Sequence, residues 1–215
     1  MTKQLMYLFL TMIITRTLSS GTAPAGQSNA SLKRLDRLHI EQFAVYNALG
    51  EISQKAQVTI GVDAVEPKQE STVVLDFPGG KVADLLDMFV AAAPDYRWTE
   101  TSSGVIHVSR TSAHVSLLDV VMSYPGAVKK TRRNIWEDIA NRPEVAAWMQ
   151  SNSCLRGELF NGKEFREHDD PISIGPGSLT LTELLDQVAV KSRVNYWAVL
   201  QSPSDTPCRI QIILW

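Results

Sequence analysis

Little in this chain is extreme, and each shortage excludes a class. The longest apolar run, Leu5–Ile14, is broken once by Thr11 and stops at Arg16. A helical membrane span needs roughly 20 apolar residues, so a multi-span membrane protein is excluded. Neither sign of charge dominates: 21 Lys and Arg stand against 23 Asp and Glu, a net charge of -2. No overall positive field points to nucleic acid. With 12 Gly and 10 Pro in 215 residues, the chain is neither collagen-like nor low-complexity. Only two cysteines are present, too few for a disulfide scaffold, and they do not form the C-x-x-C pair of redox enzymes. No G-x-S-x-G elbow, H-E-x-x-H pair, P-loop or dinucleotide fingerprint occurs. Gly79-Gly80 and Gly175-Pro176-Gly177 read as turns; Pro176 lacks the N–H that a phosphate cradle would use.

What is present starts with an address. Lys3, the apolar run and the small residues Ser19, Ser20, Gly21, Ala23 and Ala25 form the basic, apolar and small-residue order of a secretory signal peptide over residues 1–21. Cleavage after Ser20, Gly21 or Ala25 fits equally. The expected location is exported, periplasmic or secreted, with no stable membrane span left after cleavage. Loss of Lys3 and Arg16 leaves 19 basic residues against 23 acidic ones. Residues 22–37 read as a flexible leader rich in small and polar residues, with folding expected to begin near Leu32. In an oxidising compartment Cys154 and Cys208 permit one disulfide; two buried thiols are the alternative.

An α+β fold of two small units, each with helices laid on a sheet, is expected at 38–111 and 115–215. In the first, Val45, Leu49, Ile52 and Ala56 make a helical stripe, and Val58, Ile60 and Val62 alternate like a half-buried strand. Val73, Leu75 and Phe77 alternate again. Val82, Leu85, Leu86 and Phe89 form a second stripe ending at Pro94, and Tyr96–Trp98 with Val105–Val108 make a hairpin. In the second, Leu181, Leu184, Leu185 and Val188 repeat that second stripe at an offset of 99 residues, and the register holds from Asp87 and Asp186 to Trp98 and Trp197. Thr180 and Glu183 form a capping-box pattern that Lys81 and Asp84 do not repeat. Between the repeats, Ser116–Ser123 reads as a strand, Asn134 with Glu137 as a helix cap, Pro143 as the first turn of a helix, and Cys154–Phe160 as a strand. Strands Tyr196–Leu200 and Ile210–Leu214 close the chain.

Two charged clusters invite functional readings. Lys129, Lys130, Arg132 and Arg133 are either a patch for an anionic partner or a solvated loop. Glu164, Glu167, His168, Asp169 and Asp170 carry metal-ligand chemistry, but an open loop rarely fixes four ligands by itself. His39, His107, His114 and His168 lack a recognisable nucleophile partner in the pattern, so no catalytic residue, cofactor or metal is assigned.

Four segments carry a resemblance: ALGEISQKAQVTIGVDAV (Ala48–Val65), VVLDFPGGKVADLLDMFV (Val73–Val90), YRW (Tyr96–Trp98) and GVIHV (Gly104–Val108). Over about residues 38–110 the chain resembles the short N-terminal domain shared by secretins and TonB-dependent receptors. That resemblance implies a small α+β module that recognises protein partners in the cell envelope and performs no chemistry. It implies an envelope protein as partner. An edge strand offers unpaired N–H and C=O groups that another chain can complete, so strand addition to Val73–Phe77 or Val105–Val108 is the expected mode. Two alternatives stand beside it: an accessory or assembly subunit of a secretin-type or receptor-type channel, and a small periplasmic metal-dependent enzyme using the loop at His168.

Overall fold

The computed structural model describes residues 29–66, 72–112, 116–157, 170–202 and 207–214. The expected signal peptide, the acidic loop from Glu164 to Asp169, His114 and Trp215 lie outside them. A turn of 3-10 helix at Ala30–Leu32 is followed by β1 (Arg34–Leu35), β2 (Leu38–Phe43), α1 (Val45–Ala56), β3 (Ile60–Val65), β4 (Thr72–Phe77), β5 (Gly80–Lys81), α2 (Val82–Ala92), β6 (Tyr96–Glu100) and β7 (Ile106–Arg110). A second 3-10 turn at Leu117–Asp119 leads into β8 (Val121–Tyr124), β9 (Ala127–Lys130), α3 (Arg132–Ala140), α4 (Pro143–Ser151), β10 (Leu155–Arg156), β11 (Ile172–Ile174), β12 (Gly177–Thr180), α5 (Leu181–Ser192), β13 (Tyr196–Gln201) and β14 (Arg209–Leu214). The fold is α+β, and among the described residues no helix is long and apolar enough to cross a membrane.

The second half repeats the first, with α3 and α4 in the place of α1. β1 pairs antiparallel with β5 as β8 does with β12. β2 pairs antiparallel with β4 as β9 does with β11. β3 runs parallel to β7 and β10 to β14, while β6–β7 and β13–β14 are both antiparallel. Registers agree as well. Arg34 faces Lys81 where Val121 faces Thr180, and Ile40 faces Leu75 where Ala127 faces Ile174. Val82 N donates to Lys33 O at 2.9 Å, and Leu181 N to Val120 O at 3.0 Å. Half of the capping box is repeated too: Lys81 N donates to Asp84 Oδ2 and Thr180 N to Glu183 Oε2, each at 2.8 Å. The reciprocal bond, Glu183 N to Thr180 Oγ1 at 3.1 Å, is found in the second copy alone, because a Lys side chain has no acceptor.

The two units do not close separate sheets. One six-stranded sheet runs β10-β14-β13-β3-β7-β6, joined at its middle by the parallel pair β13–β3, with Tyr196 opposite Ile60 and Gln201 opposite Val65. β13 runs parallel to β3, whereas its counterpart β6 runs antiparallel to it, so the second unit is reversed and turned over. Tyr196, Ala198 and Leu200 therefore enter the core under α1 and α2, together with Ile60, Val62, Ala64, Ile106 and Val108. Trp197 and Val199 enter the core under α5, with Ile210, Ile212 and Leu214. Sheets buried on both faces favour continuous apolar runs, and Tyr196–Leu200 is one. Ile60–Val65 is not half-buried as its alternation suggested: Gly61 and Asp63 are buried as well.

Local chemistry explains the remaining departures. The expected leader ends early: Ser31 is buried, Ala30 N donates to Glu100 Oε1 at 2.6 Å, and Arg34–Leu35 is a strand. Leu38–Phe43 forms β2, which its weak alternation did not announce. Ser116–Ser123 is a 3-10 turn before a strand, because Ser116 Oγ accepts from Leu118 N at 3.2 Å and both Leu117 and Leu118 turn inward. Helix α3 is capped by Thr131, whose Oγ1 accepts from Asn134 N at 3.3 Å, three residues before the expected cap at Asn134. Pro143 opens α4 as expected. Cys154 and Cys208 are joined in a disulfide, Cα to Cα 4.4 Å, just ahead of β10 and β14.

The join rests on a glycine. A Cβ on Gly61 would lie 2.1 Å from Cζ2 of the Trp197 ring, so Gly61→Ala must displace buried indole or bend β3. Overpacking of this kind costs typically 1–3 kcal/mol; denaturant unfolding should show a loss of about that size or more, and an unchanged midpoint would refute the close packing. On the outer face of β2–β4, the Asp76 carboxylate, 2.8 Å from Nδ1 of the opposing His39, raises the imidazole above its ordinary 6.5. A raised folded-state value supports folding below pH 6.5, and that support fades as pH rises through it. Titration followed by NMR should show His39 high in the wild type and back near the ordinary value in Asp76→Asn.

Candidate functional site

Turning the second unit over leaves part of the sheet bare. α1 and α2 cover one face of β3, β7 and β6; on the other face the side chains alternate outward as Gly61 and Asp63, His107 and Ser109, and Arg97 and Thr99. That face is the floor of a cleft of about 520 Å³. Its walls are Thr111, Ser112, Ser116, Leu118 and Asp119 on the way into the second unit, Thr182 at the start of α5, and the Trp197 edge. The volume falls within the roughly 300–1,000 Å³ of ligand sites, but the lining is mainly polar.

Two buried polar pairs hold the floor. Asp63 and Arg110 meet at 3.3 Å with side chains only 8% and 12% exposed. The same Nη2 of Arg110 donates to Gln201 Oε1 at 3.1 Å, and Ser116 Oγ stands 3.5 Å from Asp63 Oδ2. Arg110 Nε is buried without a hydrogen-bond partner. The second pair is His107 with Asp186: Nε2 lies 3.0 Å from both carboxylate oxygens, and the imidazole stands edge-on to Trp197. Asp186 Oδ1 also accepts from Trp197 Nε1 at 3.0 Å.

The origin of the second pair is visible in the first repeat. Trp98 Nε1 donates to Asp87 Oδ1 at 2.9 Å, the same bond 99 residues earlier, but on the surface. The Asp–Trp bond belongs to the duplicated fold; His107, supplied by the other unit, is what the second copy adds. An imidazole backed by a carboxylate is half of a general-base arrangement. Among the described residues no hydroxyl or thiol is hydrogen bonded to the ring as a nucleophile would be.

The sequence-derived sites are distributed differently. Of the basic cluster, Arg132 is buried, Lys130 Nζ pairs with Asp138 at 2.6 Å, and Arg133 Nε with Glu137 at 3.3 Å. Only the ammonium of Lys129 stays exposed without a partner among the described residues, so these four side chains do not present one anionic-partner patch. Of the acidic cluster only Asp170 is described, and it is exposed; among the described residues no three His, Cys, Asp or Glu side chains converge as metal ligands. Val105–Val108 is not an open edge, since β7 lies between β3 and β6. β6 is the edge. Thr101 N donates to Val105 O at 2.9 Å and Thr111 N to Asp95 O at 2.7 Å. With the alternation of an antiparallel ladder, the backbone groups of Arg97 and Thr99 face β7, and those of Trp98 and Glu100 face outward.

The two Asp–Trp bonds should not be equal. Asp186 is 13% exposed and serves both Trp197 and His107, whereas Asp87 is an exposed partner of Trp98. Removing a buried acceptor strands its donors at about 1–3 kcal/mol. Asp186→Ala is expected to lower the unfolding free energy by that amount and Asp87→Ala by less than about 1 kcal/mol; equal losses would contradict the assignment. Comparison with known proteins finds no protein family and no curated protein that matches the chain.

Proposed function

We propose that the chain is an exported, non-enzymatic interaction module of the cell envelope that takes a segment of a partner protein by strand addition to β6. The observation that carries this reading is the equivalence of β6 and β13. In the duplicated fold they are the same strand, and on β13 the corresponding outer edge is already filled, in parallel, by β3. The chain thus contains one occupied example of the ladder that β6 leaves open. An edge strand offers unpaired N–H and C=O groups to a partner backbone, and alternate partner side chains then meet the two faces of the sheet. On one face they would meet Arg97 and Thr99, beside the cleft. The disulfide fits an oxidising compartment, and the resemblance of residues 38–110 to the partner-recognition domain of secretins and TonB-dependent receptors supports the same role.

The experiment compares two substitutions at one position. Glu100→Ala loses the carboxylate that accepts from Ala30 N and Ser31 Oγ but keeps the outward N–H. Glu100→Pro loses the N–H as well, and an edge strand tolerates proline on its open side. Envelope protein captured by the wild type and by Glu100→Ala, and lost with Glu100→Pro at unchanged thermal stability, supports strand addition. Equal capture by all three proteins, or no protein captured by the wild type, overturns it.

A further inference from the structure

The cleft carries an inference that does not depend on the edge of β6. Most of its ionisable groups already have protein partners: Asp63 with Arg110, and His107 with Asp186. Two do not. Arg97, exposed on β6, has no ion-pair or hydrogen-bond partner among the described residues, and neither does the carboxylate of Asp119, exposed in the 3-10 turn of the wall. One cation stands on the floor and one anion on the wall of the same concavity. Between them stand hydroxyls: Thr99 and Ser109 can each donate and accept, while Ser116 and Thr182, whose protons go to Asp63 and to the Leu118 carbonyl, can accept. Val108, Leu118 and Trp197 add apolar surface to the lining.

We propose that this cleft binds a short peptide with both termini free, its carboxylate on Arg97 and its ammonium on Asp119. A purely anionic ligand would meet the Asp119 carboxylate and a purely cationic one the Arg97 guanidinium, so each would be repelled by one side of the site. A zwitterion satisfies both. Guanidinium is the planar donor suited to a carboxylate, and charge-assisted bonds of this type are roughly twice as strong as neutral ones. The hydroxyl-rich lining matches the alternating donors and acceptors of peptide groups, and the volume exceeds the need of a single free amino acid.

The test is calorimetric titration of the full mature protein with trialanine, N-acetyl-trialanine and trialanine amide. The free tripeptide should bind, and capping either end should weaken binding about tenfold or more, the scale of one hydrogen bond to a charged group. Arg97→Gln should bind trialanine and its amide alike, while keeping the sensitivity to N-acetylation. Asp119→Asn should show the reverse. Both side chains are exposed, so thermal unfolding of the two variants should match the wild type and serve as the folding control. Absence of binding at millimolar tripeptide overturns the proposal, as does equal binding of free and capped peptides, or loss of both sensitivities in a single variant. Glu100→Pro should bind trialanine as the wild type does; loss of binding there would move the ligand to the sheet edge and overturn the cleft assignment.

Discussion

The parallel pairing of β13 with β3 is the constraint on which the rest of the molecule depends. It requires both strands to be buried on two faces, and each meets that need by a different route. β13 is apolar throughout, so Tyr196, Ala198 and Leu200 serve one core and Trp197 and Val199 the other. β3 is apolar on one face only. On the other, Gly61 leaves room for the Trp197 ring, and Asp63 is neutralised by Arg110. Further bonds lock the join: the Asn195 carbonyl accepts from Ile60 N at 2.9 Å where the two strands begin, and on the side of α1 Tyr196 Oη donates to Tyr46 O at 2.7 Å. Burial pushes the Tyr196 phenol well above its ordinary value, so it stays a neutral donor there. The cleft is a consequence of the same join. Because the second unit is turned over, its helices cannot cover the far half of the sheet, and that half presents Arg97, Thr99, His107 and Ser109.

Duplication explains which features recur and which do not. Bonds that depend on backbone position, such as Val82 N to Lys33 O and Leu181 N to Val120 O, appear twice. So does the Asp–Trp bond between helix and strand. The counterparts are offset by 87 residues up to the start of the first helix of each unit and by 99 from β4 to β6, as Ala30 with Leu117 and Val82 with Leu181 show. In the last strands the offset is 106, since Val108 opposite Trp98 corresponds to Leu214 opposite Trp197. The first difference lies where the single helix α1 is replaced by α3 and α4. In that altered stretch β10 keeps only two paired residues, against six residues in β3. The disulfide sits at this weak point. With Leu155 N donating to Cys208 O and Gly157 N to Ile210 O, a covalent tie holds a ladder that has few hydrogen bonds of its own. Closing a loop of this length removes on the order of 4 kcal/mol of unfolded-state entropy in the chain-entropy account.

Periodicity made the helices legible and hid the site. Leu85, Leu86 and Phe89, like Leu184, Leu185 and Val188, are buried as their spacing requires, and the coincidence of Asp87–Trp98 with Asp186–Trp197 was already a register signal in the sequence. The shared sheet was not legible, since strand order between distant segments leaves no local pattern. A run such as Ile60–Val65, with a Gly and an Asp among apolar residues, contained the clue that both of its faces are buried. The cleft residues are every second residue of β6 and β7. In a single sequence that alternation reads as an ordinary solvent face, because nothing local shows that a wall rises opposite. The basic run Lys129–Arg133 failed for the complementary reason: the turn into α3 sends Arg132 inward and hands Lys130 and Arg133 to acids on the same helix.

The duplication also bears on why β6 can remain open. The operation that places β3 against β13 would, if continued, place the β10 of a second copy against β6 and propagate without closing, the geometry that generates fibres. Three features of the described chain oppose this. β10 has only two paired residues, so a second copy gains little ladder by adding it. Leu155 and Arg156 are held by the disulfide beside β14, which restrains the strand from extending to reach a neighbour. On the receiving side Arg97 puts a charge beside the edge, a common protection against indiscriminate pairing. On the proposed reading β6 takes a longer strand from a different chain, because the β10 of a second copy brings only two paired residues among those described. The proposed preference for a partner over self-assembly rests on this asymmetry rather than on the openness of the edge alone.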